Sequence, residues 1–172
     1  KGKEFQRIAS KDFAGKWIVL YTYPKDFTFV CPTEIVEFDK KVKDFADRGA
    51  VVLGGSTDNE YSHLAWRNSH ADLKQIKHPL LFISASMAQN FGLLQATAEV
   101  ALRATYIIDP NGMVRFATAN DLSVGRNVDE VMRVLHSKPE PVLSRFNSAY
   151  ATLLNLYRQH QRRLPELFPK TL

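Results

Sequence analysis

Apolar residues in the first half of the chain fall into short runs with the composition of β-strands. Residues 15–23 form a β-branched and aromatic run that predicts a buried strand. Residues 50–57 predict a second strand, which is short and apolar enough for a parallel position inside a sheet. Residues 80–83 predict a third. These runs indicate a sheet whose strands are separated by longer segments.

In the segments between these strands, apolar residues recur at the spacing of a helix. Pro32 follows Cys31 where a first helical residue is expected, and apolar residues three and four positions apart predict a helix that ends near Gly49. A second helix is predicted from a cap at Asp58–Asn59 to about His70. The residues predicted to form its buried stripe are Tyr61, Leu64, Ala65 and Trp66.

The second half of the chain adds a short helix, a hairpin and a further helix. Ser86 is predicted to cap the short helix. The strands predicted over 103–109 and 113–118 flank Pro110-Asn111-Gly112, and because Asn and Gly tolerate positive φ, this turn predicts an antiparallel hairpin. Asn127 caps a helix with one apolar side. This order predicts an α/β fold with a central mixed sheet flanked by helices.

Length and charge narrow the classes of function. At 172 residues, with 45% apolar composition, the chain can hold one sizeable core. The formal charge is +5, but residues 137–172 hold six Lys or Arg against two Glu, so residues 1–136 are nearly neutral and nucleic-acid binding is disfavoured. No run approaches the roughly 18 apolar residues of a membrane span. No signal peptide is visible, so we expect no membrane partner and a cytoplasmic location.

The chain's one cysteine, Cys31, lies where the first strand gives way to the first helix. A lone cysteine excludes an internal disulfide and a site of clustered thiolates. At a helix start, unpaired backbone N–H groups and the helix dipole favour the thiolate, which is the nucleophilic form. Thr28 can offer a hydroxyl near the sulfur, and Pro32 shields one side. An inert core cysteine is the alternative, but these neighbours favour a reactive thiol.

Other chemistry-bearing residues do not form recognisable sites. The histidines lack the spacing of a metal site, and we expect surface or packing roles for them: His63, His70, His78, His136 and His160. Gly54-Gly55 lacks the ending of a phosphate-binding loop, and no dinucleotide fingerprint is present. We therefore expect neither a metal nor a cofactor.

Residues 24–34, with the sequence PKDFTFVCPTE, resemble the peroxidatic loop of the peroxiredoxins. Pro24, Thr28 and Cys31 keep the family's Pro-x3-Thr-x2-Cys spacing. The stretch looks like that of the typical 2-Cys subgroup, which includes the alkyl hydroperoxide reductase peroxidase subunit. Similar segments follow in order to about residue 136, namely residues 53–58, 63–66, 104–110 and 124–130. The resemblance implies a thioredoxin-like domain over residues 1–136.

The resemblance also implies a reaction and its catalytic residues. A Cys31 thiolate would attack hydrogen peroxide or an alkyl hydroperoxide. Thr28 would hydrogen-bond the sulfur or the peroxide. Arg103, distant in sequence, would be brought beside Cys31, where a rigid guanidinium suits charge that moves onto the leaving oxygen.

The remaining implied site residues shape the pocket around that reaction. Pro24 and Pro32 would wall it and limit water. Glu34 would orient an arginine through a charge-assisted pair, and Arg126 would be a second arginine of the site. The family implies a homodimer or a ring of dimers.

The tail, residues 137–172, departs from the typical 2-Cys pattern. It contains no resolving cysteine, and apolar residues recur at helical spacing between residues 142 and 157, which predicts a long amphipathic helix. The helix would pack on its own domain or on a neighbouring subunit. A sulfenic acid on Cys31 would then be reduced by an external thiol, either a thioredoxin-like protein or a small thiol. The alternatives are a catalytically impaired scaffold protein that binds a partner through the tail helix, and a redox sensor.

Overall fold

The computed structural model describes residues 5–95 and 97–137. Its strands are β1 (Trp17–Thr22), β2 (Ala50–Ser56), β3 (Leu80–Phe82), β4 (Leu94–Gln95), β5 (Val100–Ala101), β6 (Arg103–Ile108) and β7 (Val114–Asn120). Its helices are α1 (Cys31–Lys40), α2 (Val42–Ala46), α3 (Glu60–Ser69), α4 (Ala85–Asn90) and α5 (Val128–His136), and a 3-10 turn at Ser10–Phe13 precedes β1. Of the helices within these ranges, none has the length and apolar character needed to cross a bilayer.

A five-stranded mixed sheet in the order β3-β2-β1-β6-β7 forms the centre of the fold. β1 pairs in parallel with β2, and β2 with β3. β6 pairs antiparallel with both β1 and β7. The predicted mixed sheet and the predicted hairpin are therefore confirmed. A small antiparallel pair, β4 with β5, was not predicted, because two-residue strands leave no periodic signal.

Each face of the sheet buries its own hydrophobic cluster. Val19, Tyr21 and Ile107 project to one face and pack in a cluster with residues of α1, α2, α3 and α5. Leu20 and Tyr106, one residue out of phase, project to the other face and pack with residues of α4. The alternation follows from the strand period of two and places helices on both faces.

Two local predictions about the helices need correction, and one is confirmed. The helix predicted from Cys31 to about Gly49 is divided, because Lys41 leaves helical geometry at φ −100° and ψ 4°. The cap of α4 is Ser84, whose hydroxyl accepts from the Met87 N–H, and not Ser86. The cap of α5 is Asn127, as predicted.

The predicted buried stripe of α3 is partly wrong. Trp66 is buried, but Tyr61 is 67% exposed and packs its ring edge-on against Phe5, and Ala65 is exposed. His63 takes the inner position, because both of its ring nitrogens find hydrogen-bond partners there. A buried polar side chain with satisfied partners can thus replace an apolar one. The predicted tail helix lies outside the described residues.

Candidate active site

Strand pairing brings together two residues that lie far apart in the sequence. β1 and β6 run antiparallel, with Tyr21 opposite Thr105, so the end of β1 lies beside the start of β6. The Thr22 hydroxyl continues this contact by donating to the Leu102 carbonyl at 2.7 Å. Cys31 follows the end of β1 by one loop, and Arg103 opens β6.

Cys31 is the first residue of α1, and its side chain is fully buried. The neighbouring Pro32 is buried as well, so the sulfur sits at the positive end of the helix with little access for water. Arg103 Nη1 donates a hydrogen bond to Cys31 Sγ at 3.4 Å, across 72 residues of sequence. Arg103 Nε donates to the Leu122 carbonyl at 2.7 Å, which fixes the plane of the guanidinium. The structure thus places the predicted arginine against the predicted nucleophile.

Glu34 joins the two arginines of the site. Its Oε2 accepts from Arg103 Nη1 at 2.6 Å and from Arg126 Nη2 at 2.9 Å. Its Oε1 accepts from Arg126 Nε and from the Arg126 main-chain N–H, both at 3.0 Å. Glu34 lies one turn along α1 from Cys31 and is buried, so it orients the guanidinium that touches the sulfur.

Arg126 has a different role from Arg103. Its Nη1 donates to the Thr22 carbonyl at 2.6 Å and to the Ala104 carbonyl at 2.9 Å, so it ties β1 and β6 together at the edge of the site. Its guanidinium also lies 5.1 Å from the centre of the Tyr21 ring. Arg126 therefore supports the site through Glu34 and the strand ends, whereas Arg103 contacts the sulfur.

The charges of the buried side chains around Cys31 do not balance. Two guanidinium groups and one carboxylate leave one positive charge without an opposite charge beside the sulfur. Charge interactions are stronger inside a protein than in water, and an unpaired buried charge is costly. A negative charge at or beside the sulfur would balance the cluster, and Arg103 is in position to donate a hydrogen bond to it.

The loop before Cys31 supplies Pro24 and Thr28. Pro24 is buried, in agreement with a place in the wall of the pocket. Thr28 is partly buried, and its hydroxyl donates to the Lys25 carbonyl at 3.1 Å. The Thr28 hydroxyl therefore uses its proton within the loop. Its oxygen can still accept a hydrogen bond from a ligand.

A buried hydrogen-bonded chain beneath Arg126 was missed by sequence reasoning. Tyr21 Oη lies 2.7 Å from His78 Nε2, and His78 Nδ1 lies 3.0 Å from Asp39 Oδ1. Burial raises the pKa of Tyr21 well above its ordinary value, although Arg126 acts in the opposite direction, so the phenol stays neutral. The chain holds the ring on which Arg126 rests. A second buried cluster, around Asp26 and His63, was also missed.

Two further residues explain how the Tyr21 ring is accommodated. Gly54 faces this ring so closely that a Cβ atom there would lie 2.5 Å from Tyr21 Oη, so glycine is required at this point of β2. Phe38 of α1 stacks on the Tyr21 ring, with ring centres 4.0 Å apart. Gly54 of the Gly54-Gly55 pair, which is not a phosphate-binding loop, therefore has a packing role.

A buried thiol beside an arginine, at the start of a helix that follows a central strand of a mixed sheet, defines a thiol-dependent oxidoreductase. Comparison with known proteins gives the family. The AhpC/TSA family profile matches residues 1–117. The alkyl hydroperoxide reductase C of Mycolicibacterium smegmatis is 52% identical over 132 residues, which are 76% of this chain and 67% of that protein. The mitochondrial thioredoxin-dependent peroxide reductase of Drosophila melanogaster is 45% identical over 135 residues, 76% of this chain and 58% of that protein.

Solved structures agree with this assignment. Enterococcus faecalis AhpC aligns with a TM-score of 0.76 at 33% identity, covering 80% of this chain and 83% of that chain. Mycobacterium tuberculosis AhpC aligns with a TM-score of 0.71 at 46% identity, covering 81% of this chain and 79% of that chain. The chain belongs to the AhpC/TSA family and is a peroxiredoxin. The thioredoxin-like fold predicted from the sequence is confirmed.

Proposed function

We propose that this peroxiredoxin reduces hydrogen peroxide and alkyl hydroperoxides through its Cys31 thiolate, and that an external thiol restores the enzyme. The observation that carries the proposal is the 3.4 Å contact of Arg103 Nη1 with Cys31 Sγ inside a buried cluster that has one unbalanced positive charge. The names of the relatives, which include peroxide reductases, support this function over a scaffold or a sensor.

The first step converts the thiolate to a sulfenic acid. The sulfur attacks the nearer peroxide oxygen, an S–O bond forms and the O–O bond breaks. The sulfur loses two electrons, and the peroxide gains them. The departing hydroxide or alkoxide takes up a proton and leaves as water or an alcohol. Arg103 can donate to the oxygen on which charge develops, because its guanidinium is already fixed by Glu34 and the Leu122 carbonyl.

Thr28 and Pro24 complete this step in the proposal. The Thr28 oxygen has free lone pairs, since its proton is donated to the Lys25 carbonyl, so it can accept the O–H of an incoming peroxide. Such a contact would align the O–O bond with the sulfur. Pro24 lies buried in the same loop and limits water around the reacting atoms. Glu34 and Arg126 act through Arg103.

The second half of the cycle uses an outside thiol. The 172 residues contain one cysteine, so they offer no partner for an internal disulfide. An external thiol attacks the sulfenic sulfur and releases water, and a second thiol then displaces Cys31 from the mixed disulfide. A thioredoxin-like protein or a small thiol is the proposed reductant. A homodimer or a ring of dimers, a cytoplasmic location, and a separate tail domain over residues 137–172 stay parts of the proposal.

The test compares wild type with Cys31→Ser. Peroxide consumption is followed with dithiothreitol, glutathione or thioredoxin as the reductant, each assayed separately. We expect turnover in wild type with at least one reductant and none above background in Cys31→Ser. Equal consumption by both proteins would overturn the proposal. Sedimentation of the reduced protein tests the proposed oligomer.

A further inference from the structure

Asp26 is a buried carboxylate that the proposed reaction does not use. It lies in the loop between β1 and α1, two residues before Thr28, and is 7% exposed. Its Oδ1 accepts from Tyr23 Oη at 2.9 Å, and its Oδ2 accepts from Ser62 Oγ at 2.8 Å. Its main-chain N–H donates to Asp58 Oδ2 at 2.6 Å. Asp26 is therefore held from both its side chain and its backbone.

Asp26 also contacts His63 of α3. His63 Nδ1 lies 2.8 Å from Asp26 Oδ2, and His63 Nε2 lies 3.0 Å from the Leu81 carbonyl. Both ring nitrogens of His63 therefore have a hydrogen-bond partner. The two side chains form a buried hydrogen-bonded pair, with 5% of the His63 side chain and 1% of the Asp26 side chain exposed. This pair fastens the loop to a helix that packs beside the sheet.

The residue that follows Asp26 has a strained backbone. Phe27 has φ of 56°, in the left-handed region that a bulky side chain rarely adopts. Such a conformation persists where its surroundings hold it. On one side Asp26 is anchored as described, and on the other the Phe27 ring lies 5.9 Å from the ring of Trp66. Thr28 comes next, so the strained turn sets where its hydroxyl points.

We propose that Asp26, paired with His63, is a positioning residue that holds the Phe27 turn, presents Thr28 to the peroxide and keeps Cys31 enclosed. The inference rests on the proposed function for its effect on peroxide. Its effect on enclosure does not, because Cys31 is fully buried whatever it reacts with. Loss of the pair lets the turn relax, which displaces Thr28 and opens a path to the sulfur.

Two rate measurements on the full chain test this role. Reaction of Cys31 with hydrogen peroxide is followed by stopped flow, and its alkylation by iodoacetamide is followed by intact mass. Because small displacements of a reacting group lower rates strongly, we expect Asp26→Ala to lower the peroxide rate constant about tenfold or more. We expect the same variant to raise the alkylation rate constant by about tenfold.

Opposite changes in the two rates separate positioning from simple loss of structure. The matched control is Asp109→Ala, which removes another buried aspartate that accepts several hydrogen bonds, in the β6–β7 hairpin. We expect the control to change neither rate by more than about twofold, since it touches no residue of the loop. Equal changes in the control and in Asp26→Ala would overturn the proposal.

Three additional variants test whether Asp26 and His63 act as a pair, and one of them is mild enough to avoid misfolding. Ser62→Ala removes one donor to Asp26 and leaves the contact between Asp26 and His63, so we expect shifts of about threefold in the same two directions. His63→Ala and Asp26→Ala each break the contact between these two side chains. The double variant Asp26→Ala/His63→Ala should therefore match the larger of these two single effects. If the effects of Asp26→Ala and His63→Ala multiplied in the double variant, the two residues would act independently, and the proposed pair would be refuted. An unchanged alkylation rate in Asp26→Ala would also refute it. If wild type fails to react with peroxide, the proposed function fails, whereas the alkylation rates still decide this inference.

Discussion

Glu34→Gln tests the charge cluster most severely, because it keeps the shape of the side chain and removes its charge. In wild type the carboxylate accepts four hydrogen bonds, two at each oxygen, from Arg103 and Arg126. An amide at this position has one oxygen and one NH2 group. In either orientation of the amide, the NH2 faces two N–H donors that have lost their acceptor.

The size of the effect follows from the groups left behind. Glu34→Gln removes the one carboxylate that pairs with both guanidinium groups and leaves only the Cys31 sulfur as a possible counter-charge. Removing one partner of a buried ion pair lowers the free energy of unfolding by about 3–5 kcal/mol. For a chain of this length, that loss corresponds to a fall in Tm of roughly 10–15 °C. The peroxide rate constant should fall as well, because Arg103 loses the contact that orients it.

Thermal and urea unfolding at pH 7, monitored by circular dichroism, measure this effect. The matched control is Glu37→Gln, the same substitution on the same helix, where an exposed carboxylate pairs with Lys40. We expect the control to change the free energy of unfolding by less than about 0.5 kcal/mol. If Glu34→Gln lies within about 1 kcal/mol of wild type, the cluster does not depend on this carboxylate, and our reasoning on its charge is wrong.

Three further predictions concern single residues. Arg103→Lys keeps the charge, but one ammonium group cannot replace the three contacts of the guanidinium. We therefore expect the peroxide rate constant, measured by stopped flow, to fall about 100-fold. A rate constant near that of wild type would contradict this role. Thr105→Val should leave the urea-derived stability unchanged or raise it by about 1 kcal/mol, because the buried Thr105 hydroxyl has no hydrogen-bond partner among the described residues; a loss above that amount would reveal a partner. Burial raises the pKa of Asp109, but hydrogen bonds from the Met113 N–H and Arg115 outweigh it and hold the pKa below the ordinary 3.8. The stabilising contribution of Asp109 is therefore present above pH 3.8 and is lost as the pH falls through the lowered pKa. The urea midpoints of wild type and Asp109→Asn should differ at pH 7 and converge in acid. A difference that stays constant with pH would contradict this prediction.

The fold and the position of the nucleophile could be predicted because their signals are local. The strand before Cys31, the proline after it and the turn at Pro110-Asn111-Gly112 all act over a few residues. Arg103 was a different case, since its position beside Cys31 came from the family resemblance. The physical cause is the antiparallel register of β1 and β6, which sequence spacing does not reveal.

The buried polar pairs could not be predicted for a similar reason. His63 meets Asp26 across 37 residues, and His78 meets Asp39 across 39 residues. A single sequence shows neither contact, so hydrophobic periodicity assigned Tyr61 to the inner face of α3 and left His63 as a surface or packing residue. The break at Lys41 was missed because the apolar spacing continues across it.

The central claim is that Cys31 is a thiolate nucleophile toward peroxides. Intact mass after one equivalent of hydrogen peroxide, with a sulfenic-acid trap present, tests it most directly. The account predicts rapid formation of one trapped adduct in wild type, located at Cys31 by peptide mapping, and none in Cys31→Ser. A folded wild-type protein that forms no adduct and leaves the peroxide unconsumed would contradict it.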